Sequence, residues 1–123
     1  MIRSYRYCSV WEERPRAMIV DCHTHIDCRA EVEVPETAGH WAAAQMVDFC
    51  FVLGGFEDGS EQVNERVAEY VRSHTGKMTG FAVVDPTKDR VGVADLEALK
   101  DKMGFAGVVV YCAACGFHPA HSR

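Results

Sequence analysis

The chain has 123 residues, a length that suits one domain with a modest hydrophobic core. Apolar residues make up 48% and charged residues 25% of it, which excludes a disordered chain. The net charge of −5 excludes the basic surface of a phosphate-backbone binder, and no apolar run approaches the roughly 20 residues of a membrane span, so neither a nucleic-acid nor a membrane partner is expected.

The first segment, residues 1–17, differs in composition from the rest. It carries four arginines against Glu12 and Glu13, a net charge of +2, so the remaining residues sum to −7. The segment has no sustained periodicity and no apolar core of a signal peptide. Met18 opens the first coherent element. We therefore predict that translation starts at Met18 and that residues 1–17 are a non-native extension, the alternative being a genuine N-terminal arm.

The cysteines indicate a reduced environment. There are six, and their spacing does not resemble that of a small secreted disulfide scaffold. Cys50 lies inside the apolar run 49–53, where a buried thiol behaves as a small apolar residue. Free thiols and a cytoplasmic location are predicted.

Strand-like and helix-like segments alternate from Met18 onward. Apolar runs and helical spacing predict, in chain order, a strand over 18–23, a helix over 38–45, a strand over 49–53, a helix over 60–74, a strand over 79–84, a helix over 91–103 and a strand over 105–111. The strands are continuous apolar runs, which is typical of parallel sheets covered on both faces. The predicted fold class is α/β, with about four parallel strands alternating with three helices. A whole (βα)₈ barrel needs about 250 residues, so four strands fit only an incomplete TIM barrel.

Two histidines end the first predicted strand, in Asp21-Cys22-His23-Thr24-His25. Residues i and i+2 of a strand point to the same face, so both imidazoles can converge on one ion. Neutral imidazole is a common ligand of zinc and similar metals. We predict that His23 and His25 are metal ligands, with Asp21 orienting a ligand histidine or a bound water from the second shell. The competing interpretation is two surface histidines that close a strand by chance.

Other histidines are weaker candidates. His118 follows the fourth strand, on the same edge of the sheet as the pair, and could touch substrate or metal or simply pack within its loop. His40 starts a helix and His74 ends one, where a structural role as a partner of the helix C-terminus is expected for the latter.

Cys112-Ala113-Ala114-Cys115 also follows the fourth strand. A CxxC motif suits a thioredoxin-like redox pair or half of a zinc site. Neither has its confirming context here, so we favour two small residues that line a loop. Gly54-Gly55 lacks the remaining glycines of a nucleotide-binding fingerprint.

Several phrases of the sequence resemble one family. The segment 18–26, Met-Ile-Val-Asp-Cys-His-Thr-His-Ile, resembles the opening of the amidohydrolase superfamily, specifically its amidohydrolase-2 branch of TIM-barrel enzymes similar to aminocarboxymuconate-semialdehyde decarboxylase. Segments 79–86, 104–111 and 116–119 resemble the third strand, the fourth strand and the loop that follows it. The resemblance covers residues 18–123.

The resemblance implies a divalent metal, often zinc, held by His23 and His25, and a hydrolase or decarboxylase of small carboxylated or cyclic molecules. In the family, further ligands follow the fifth and eighth strands, and neither is in this chain. Many members carry a lysine in the fourth strand, where this chain has Val109. Residues 18–123 are therefore expected to be the N-terminal half of a (βα)₈ metal-dependent hydrolase, inactive as a fragment because catalytic residues are missing.

Three alternatives stay open. PHP phosphoesterases and TatD-type nucleases also begin with an Asp-x-His-x-His phrase on a barrel or barrel-like fold. A small non-catalytic α/β binding module is possible, and open sheet edges would then favour self-association. A thioredoxin-like protein acting through Cys112 and Cys115 is the third. The encoding DNA beyond Arg123 would separate the enzyme from the module.

Overall fold

The computed structural model describes residues 17–26, 37–55, 60–88, 92–116, 118 and 120. Of the predicted N-terminal extension, all but Ala17 lies outside these ranges, as do Cys8 and Cys28. Within the described ranges, no helix has the length and apolarity needed to cross a membrane.

Four strands alternate with helices in the described chain. The elements are β1 (Val20–His25), α1 (Thr37–Ala44), β2 (Phe49–Leu53), α2 (Ser60–Arg72), β3 (Met78–Val83), α3 (Val93–Met103), β4 (Gly107–Val109) and α4 (Cys112–Cys115). The strands form one sheet in the order β1-β2-β3-β4, and every neighbouring pair is parallel. The predicted α/β class with four parallel strands is confirmed. The carboxyl ends of all four strands therefore lie at the same end of the sheet.

The hydrophobic core lies between the sheet and α2. Val63 and Val67 of α2 are 1% and 0% exposed, as their helical spacing predicts, and they belong to one cluster with Val52 of β2 and Ala82 of β3. Burial of such side chains contributes about 1.5–3 kcal/mol each. The Cys50 thiol is also buried here, which raises its pKa. The helix side of β2 and β3 is thus the packed side.

The other side of the sheet carries a row of aromatic rings. Phe49, Phe51 and Phe81 alternate with the buried residues of β2 and β3 and are half-buried. The ring centroids of Phe49 and Phe51 are 6.0 Å apart, and those of Phe51 and Phe81 are 5.3 Å apart. This row is called the aromatic face below. It is the side of the sheet that no described helix covers closely.

Helix ends follow the predicted stop signals. Gly104 has φ 78° and ends α3, with its N–H donating to the carbonyl of Lys100 at 3.0 Å. Glycine adopts this left-handed conformation without strain, and the helix ends where the predicted range 91–103 ends. At the start of α3, the N–H of Gly92 donates to the carboxylate of Asp95 at 2.8 Å.

The last strand differs from its prediction. Gly107–Val109 is much shorter than the apolar run 105–111, because both ends of the run are used elsewhere. Phe105 is buried against Gly80, where a Cβ would lie 2.8 Å from the Phe105 ring. At the other end, the N–H of Cys112 bonds the carbonyl of Val110 and the chain turns into α4, a helix that the sequence did not predict.

Candidate functional site

The two histidines of β1 face each other at the carboxyl end of the sheet. Nε2 of His23 and Nε2 of His25 are 2.9 Å apart, and the ring centroids are 4.8 Å apart in an edge-on arrangement. Both residues are exposed. The predicted convergence of the two imidazoles is therefore present, with accessible nitrogens.

A bulge in β1 places Asp21 differently from its prediction. Asp21 pairs with Cys50 and Thr24 with Val52, so two residues of β1 oppose a single residue of β2. His25 pairs with Leu53, three residues after Cys50, and thus lies on the opposite side of the sheet from Asp21. The role predicted for Asp21, orienting a ligand histidine, requires a regular strand in which residues 21, 23 and 25 share one face, and the bulge removes this condition.

Asp21 acts on the backbone of the site. Its carboxylate accepts a hydrogen bond of 3.1 Å from the N–H of His23, next to the bulge. On the helix side its negative charge raises the pKa of Cys50 and opposes the lowered pKa of His40. Asp21 thus fixes the chain at the bulge, and among the described residues it has no hydrogen bond to a histidine ring.

His25 is supported by the neighbouring strand. Loss of water around its ring and the charge of His23 lower its pKa below 6.5, whereas hydrogen bonding to the backbone of Leu53 and Gly54 opposes this shift. Nε2 faces His23, so Nδ1 is the ring nitrogen left for that backbone. Donation from Nδ1 to a carbonyl leaves the lone pair on Nε2, the arrangement typical of a metal-ligating histidine.

Tyr111 completes the rim of the site. It follows β4, its hydroxyl donates to the carbonyl of Gly54 at 3.0 Å, and its ring centroid is 6.4 Å from that of His25. Partial burial raises its pKa. The sequence reasoning did not select Tyr111, although its place at the end of an apolar run is a usable signal.

Gly54 allows this edge to pack closely. A Cβ on Gly54 would overlap Cγ1 of Val63 and lie 3.4 Å from Cγ2 of Val83. The first turn of α2 therefore sits directly against the end of β2.

The geometry of the pair fits a shared metal ion. Two nitrogens that bind one zinc ion at about 2.0–2.1 Å with the tetrahedral angle are about 3.3–3.4 Å apart, so an opening of about half an ångström suffices. At 2.9 Å, one Nε2 carries a proton and donates it in a hydrogen bond to the other Nε2. Metal binding at both Nε2 atoms would require that proton to move to Nδ1 of the same ring, because a neutral imidazole keeps one N–H when it is a ligand.

The pair does not form a complete site in the described chain. Among the described residues, no group of three or more His, Cys, Asp or Glu could hold a metal ion. His118 is exposed, and its Nδ1 accepts the N–H of Ala120 at 3.2 Å. It is not gathered with His23 and His25 into such a group.

His40 and His74 belong to a separate cluster around Tyr70. Nδ1 of His40 lies 2.8 Å from the Tyr70 hydroxyl, and Nδ1 of His74 lies 2.8 Å from the Tyr70 carbonyl. His74 thus binds the end of α2, the structural role predicted for it. His40 lies within α1 rather than at its start. Burial lowers its pKa.

Asp85 forms a second polar group at the carboxyl end of the sheet, just after β3. Its carboxylate is 4% exposed and accepts bonds from the N–H and the hydroxyl of Thr87 at 2.9 and 2.6 Å. Lys88 lies 3.4 Å away. The hydroxyl of Thr87 is the main cause that lowers the pKa of Asp85 to about 2, and the Cys115 thiol contributes. Asp85 is therefore a fixed anion rather than a general base.

An apolar groove lies away from both groups. It is a cavity of about 230 Å³ between α3 and β4, lined by residues that include Leu96, Leu99, Phe105 and Val108. The side chains named here are apolar and offer no groups for catalysis or metal binding. The histidine pair thus remains the feature with ligand-binding character.

Comparison of the chain with protein-family models, curated proteins and solved structures finds no match.

Proposed function

We propose that His23 and His25 are ligands of a divalent metal, with zinc as the proposed ion, in an amidohydrolase-type hydrolase or decarboxylase. The observation that carries the proposal is the 2.9 Å separation of the two Nε2 atoms at the carboxyl end of β1. Active sites of parallel α/β folds lie outside the carboxyl ends of their strands. The sequence phrases that resemble the amidohydrolase-2 branch add independent support.

The proposed metal centre assigns a role to four parts of the site. His23 and His25 would hold the ion, and the backbone of Leu53 and Gly54 would fix the ring of His25. A bound divalent metal supplies polarisation of a carbonyl or activation of a water at neutral pH. Tyr111 stands at the rim, where its ring would border a substrate held above the pair.

The substrate class follows from the resemblance. Small carboxylated or cyclic molecules are the proposed substrates, and the sheet of this chain would be the first half of a (βα)₈ barrel. A catalytic zinc takes three protein ligands plus a water. The described residues supply two, so turnover requires at least one ligand from outside them.

Zinc titration tests the metal centre. We expect the chain to bind one zinc ion, as measured by calorimetry or by competition with a chromophoric chelator. His23→Ala and His25→Ala should each weaken binding at least tenfold. His74→Ala removes a histidine elsewhere in the fold and is the matched control. Equal affinity in His23→Ala and in the unchanged chain would refute the proposal.

The aromatic face favours one alternative, a binding module that self-associates. Phe49, Phe51 and Phe81 are half-buried, and Val20 on β1 and Val108 on β4 are 37% and 42% exposed at the two edges of the sheet. Parallel edges of this kind can pair with another copy. Concentration-dependent sedimentation that is abolished by Phe51→Lys, together with absent zinc binding, would favour the module over the enzyme.

A further inference from the structure

Cys112 and Cys115 stand on one turn of α4, directly after the rim residue Tyr111. Residues three apart on a helix lie on the same side, with Cα atoms about 5 Å apart. Disulfides span Cα separations of about 4.4–6.8 Å. Both thiols are free and partly exposed. The backbone thus presents them at a distance that a disulfide can close.

The described cysteines outside α4 are placed differently. Cys50 is 1% exposed in the core, so it is closed to reagents in the folded chain. Cys22 is exposed on β1, at the far edge of the sheet from β4. Among the described residues, α4 therefore has the one pair of accessible thiols that neighbour each other.

Asp85 gives the two thiols of α4 different environments. Burial of Cys115 and then its neighbour, the Asp85 carboxylate, raise the pKa of the Cys115 thiol. The Cys112 thiol points to the carbonyl of Val110 at 3.7 Å, a weak contact. Cys112 is accordingly the sulfur that is free to attack, and Cys115 is the protonated partner that follows.

We propose that Cys112 and Cys115 form a reversible disulfide by thiol–disulfide exchange with a low-molecular-weight disulfide. The Cys112 thiolate attacks one sulfur of that disulfide, forming a mixed disulfide and releasing one small thiolate, which takes a proton from water. Cys115 then attacks Sγ of Cys112, loses its proton to solvent and expels the second small thiol. Two protein thiols are oxidised and one small disulfide is reduced to two thiols.

Asp85 biases this exchange toward the reduced form. The negative Asp85 carboxylate favours the protonated thiol of Cys115, and this stabilisation is lost in the disulfide, which has no thiol proton. Replacing the carboxylate by an amide removes a charged acceptor. Asp85→Asn should therefore shift the equilibrium toward the disulfide by about tenfold. The site is independent of the proposed metal centre.

Equilibration of the full chain with mixtures of reduced and oxidised glutathione tests the proposal. After acid quenching and alkylation, peptide mapping should find a Cys112–Cys115 disulfide that rises with the oxidised fraction and is reversed by dithiothreitol. Cys112→Ser should abolish it, and Cys115→Ser should stop at the mixed disulfide with glutathione. Cys22→Ser, a change on β1, is the matched control and should leave the transition unchanged.

Two outcomes would overturn the proposal. One is a folded chain whose Cys112 and Cys115 stay alkylatable at every glutathione ratio. The other is a disulfide that joins either residue to a different cysteine. Circular dichroism shows whether each variant is folded. Peptide mapping of the unchanged chain tests the Cys112–Cys115 disulfide without any substitution.

Discussion

The hydroxyl of Tyr111 donates a hydrogen bond of 3.0 Å to the carbonyl of Gly54 and so joins the end of β4 to the end of β2 across β3. The backbone of Gly54 also hydrogen-bonds the ring of His25. Three strands thus meet around one peptide group. The position of the histidine pair consequently depends on a residue that is distant from it in sequence.

Replacing Tyr111 by phenylalanine should affect both stability and metal binding. Loss of the bond to Gly54 should lower the free energy of unfolding by about 1 kcal/mol in urea denaturation. Zinc affinity should fall by less than tenfold, because His25 keeps its ring and part of its support. Tyr70→Phe removes a hydroxyl that bonds His40 instead and is the control. Equal zinc affinity in both variants would show that Tyr111 does not support the pair.

Asn64 should be among the most sensitive polar residues of the fold. It is 5% exposed, its amide donates to the carbonyl of Val83 at 2.9 Å, and its Oδ1 accepts the N–H of Val83 at 2.7 Å. Asn64→Ala leaves both backbone groups buried without these bonds. We expect a loss of about 2–4 kcal/mol in the free energy of unfolding. Glu65→Ala, the exposed neighbour on α2, should change stability by less than about 0.5 kcal/mol.

Asp85 should make the fold sensitive to acid. Its pKa is about 2 in the folded chain against an ordinary value of 3.8. A depressed carboxylate stabilises the fold above its unfolded pKa and loses that contribution as the pH falls through its folded pKa. The stability difference between the unchanged chain and Asp85→Asn should therefore be full at pH 6 and shrink between pH 4 and pH 2.

Urea denaturation at a series of pH values measures this difference. Asp101→Asn, which removes an exposed carboxylate on α3, is the matched control. A gap between the Asp85→Asn variant and the unchanged chain that stays constant down to pH 2 would contradict the assignment.

His25 should titrate below its ordinary pKa of 6.5, because loss of water and the charge of His23 both disfavour its protonated form. His23→Ala removes the second cause and should raise the pKa of His25, as followed by NMR of the ring protons. Protonation of His25 is disfavoured in the fold, so it costs stability as the pH falls through 6.5. His40→Ala should leave the His25 titration unchanged. A pKa of His25 that is unaffected by His23→Ala would show that the rings are uncoupled in solution.

Local patterns were sufficient to predict the sheet. Phe49–Leu53 forms the predicted strand, and the helical spacing of Val63 and Val67 identified the buried side of α2. Gly104 identified the end of α3, because a left-handed residue there suits glycine. Each of these signals is contained within a few neighbouring residues, which is why the sequence alone reveals it.

Features set by distant contacts were not predicted. The length of β4 depends on Phe105 packing against Gly80, and the bridge from Asn64 to Val83 joins residues 19 apart. The bulge in β1 is visible only once β1 is paired with β2. The histidines could be found from their spacing, whereas the true side of Asp21 could not, since it depends on the pairing of β1 with β2.

The bulge in β1 has a consequence for insertions and deletions. In a regular β1 without the bulge, Asp21 would still pair with Cys50, but His23 would pair with Val52. Both imidazoles would then point toward the helices. One supernumerary residue instead lets a single strand supply a carboxylate to one side of the sheet and two imidazoles to the other. An insertion or deletion of one residue between Asp21 and His25 would therefore move the histidine side chains to the other side of the sheet.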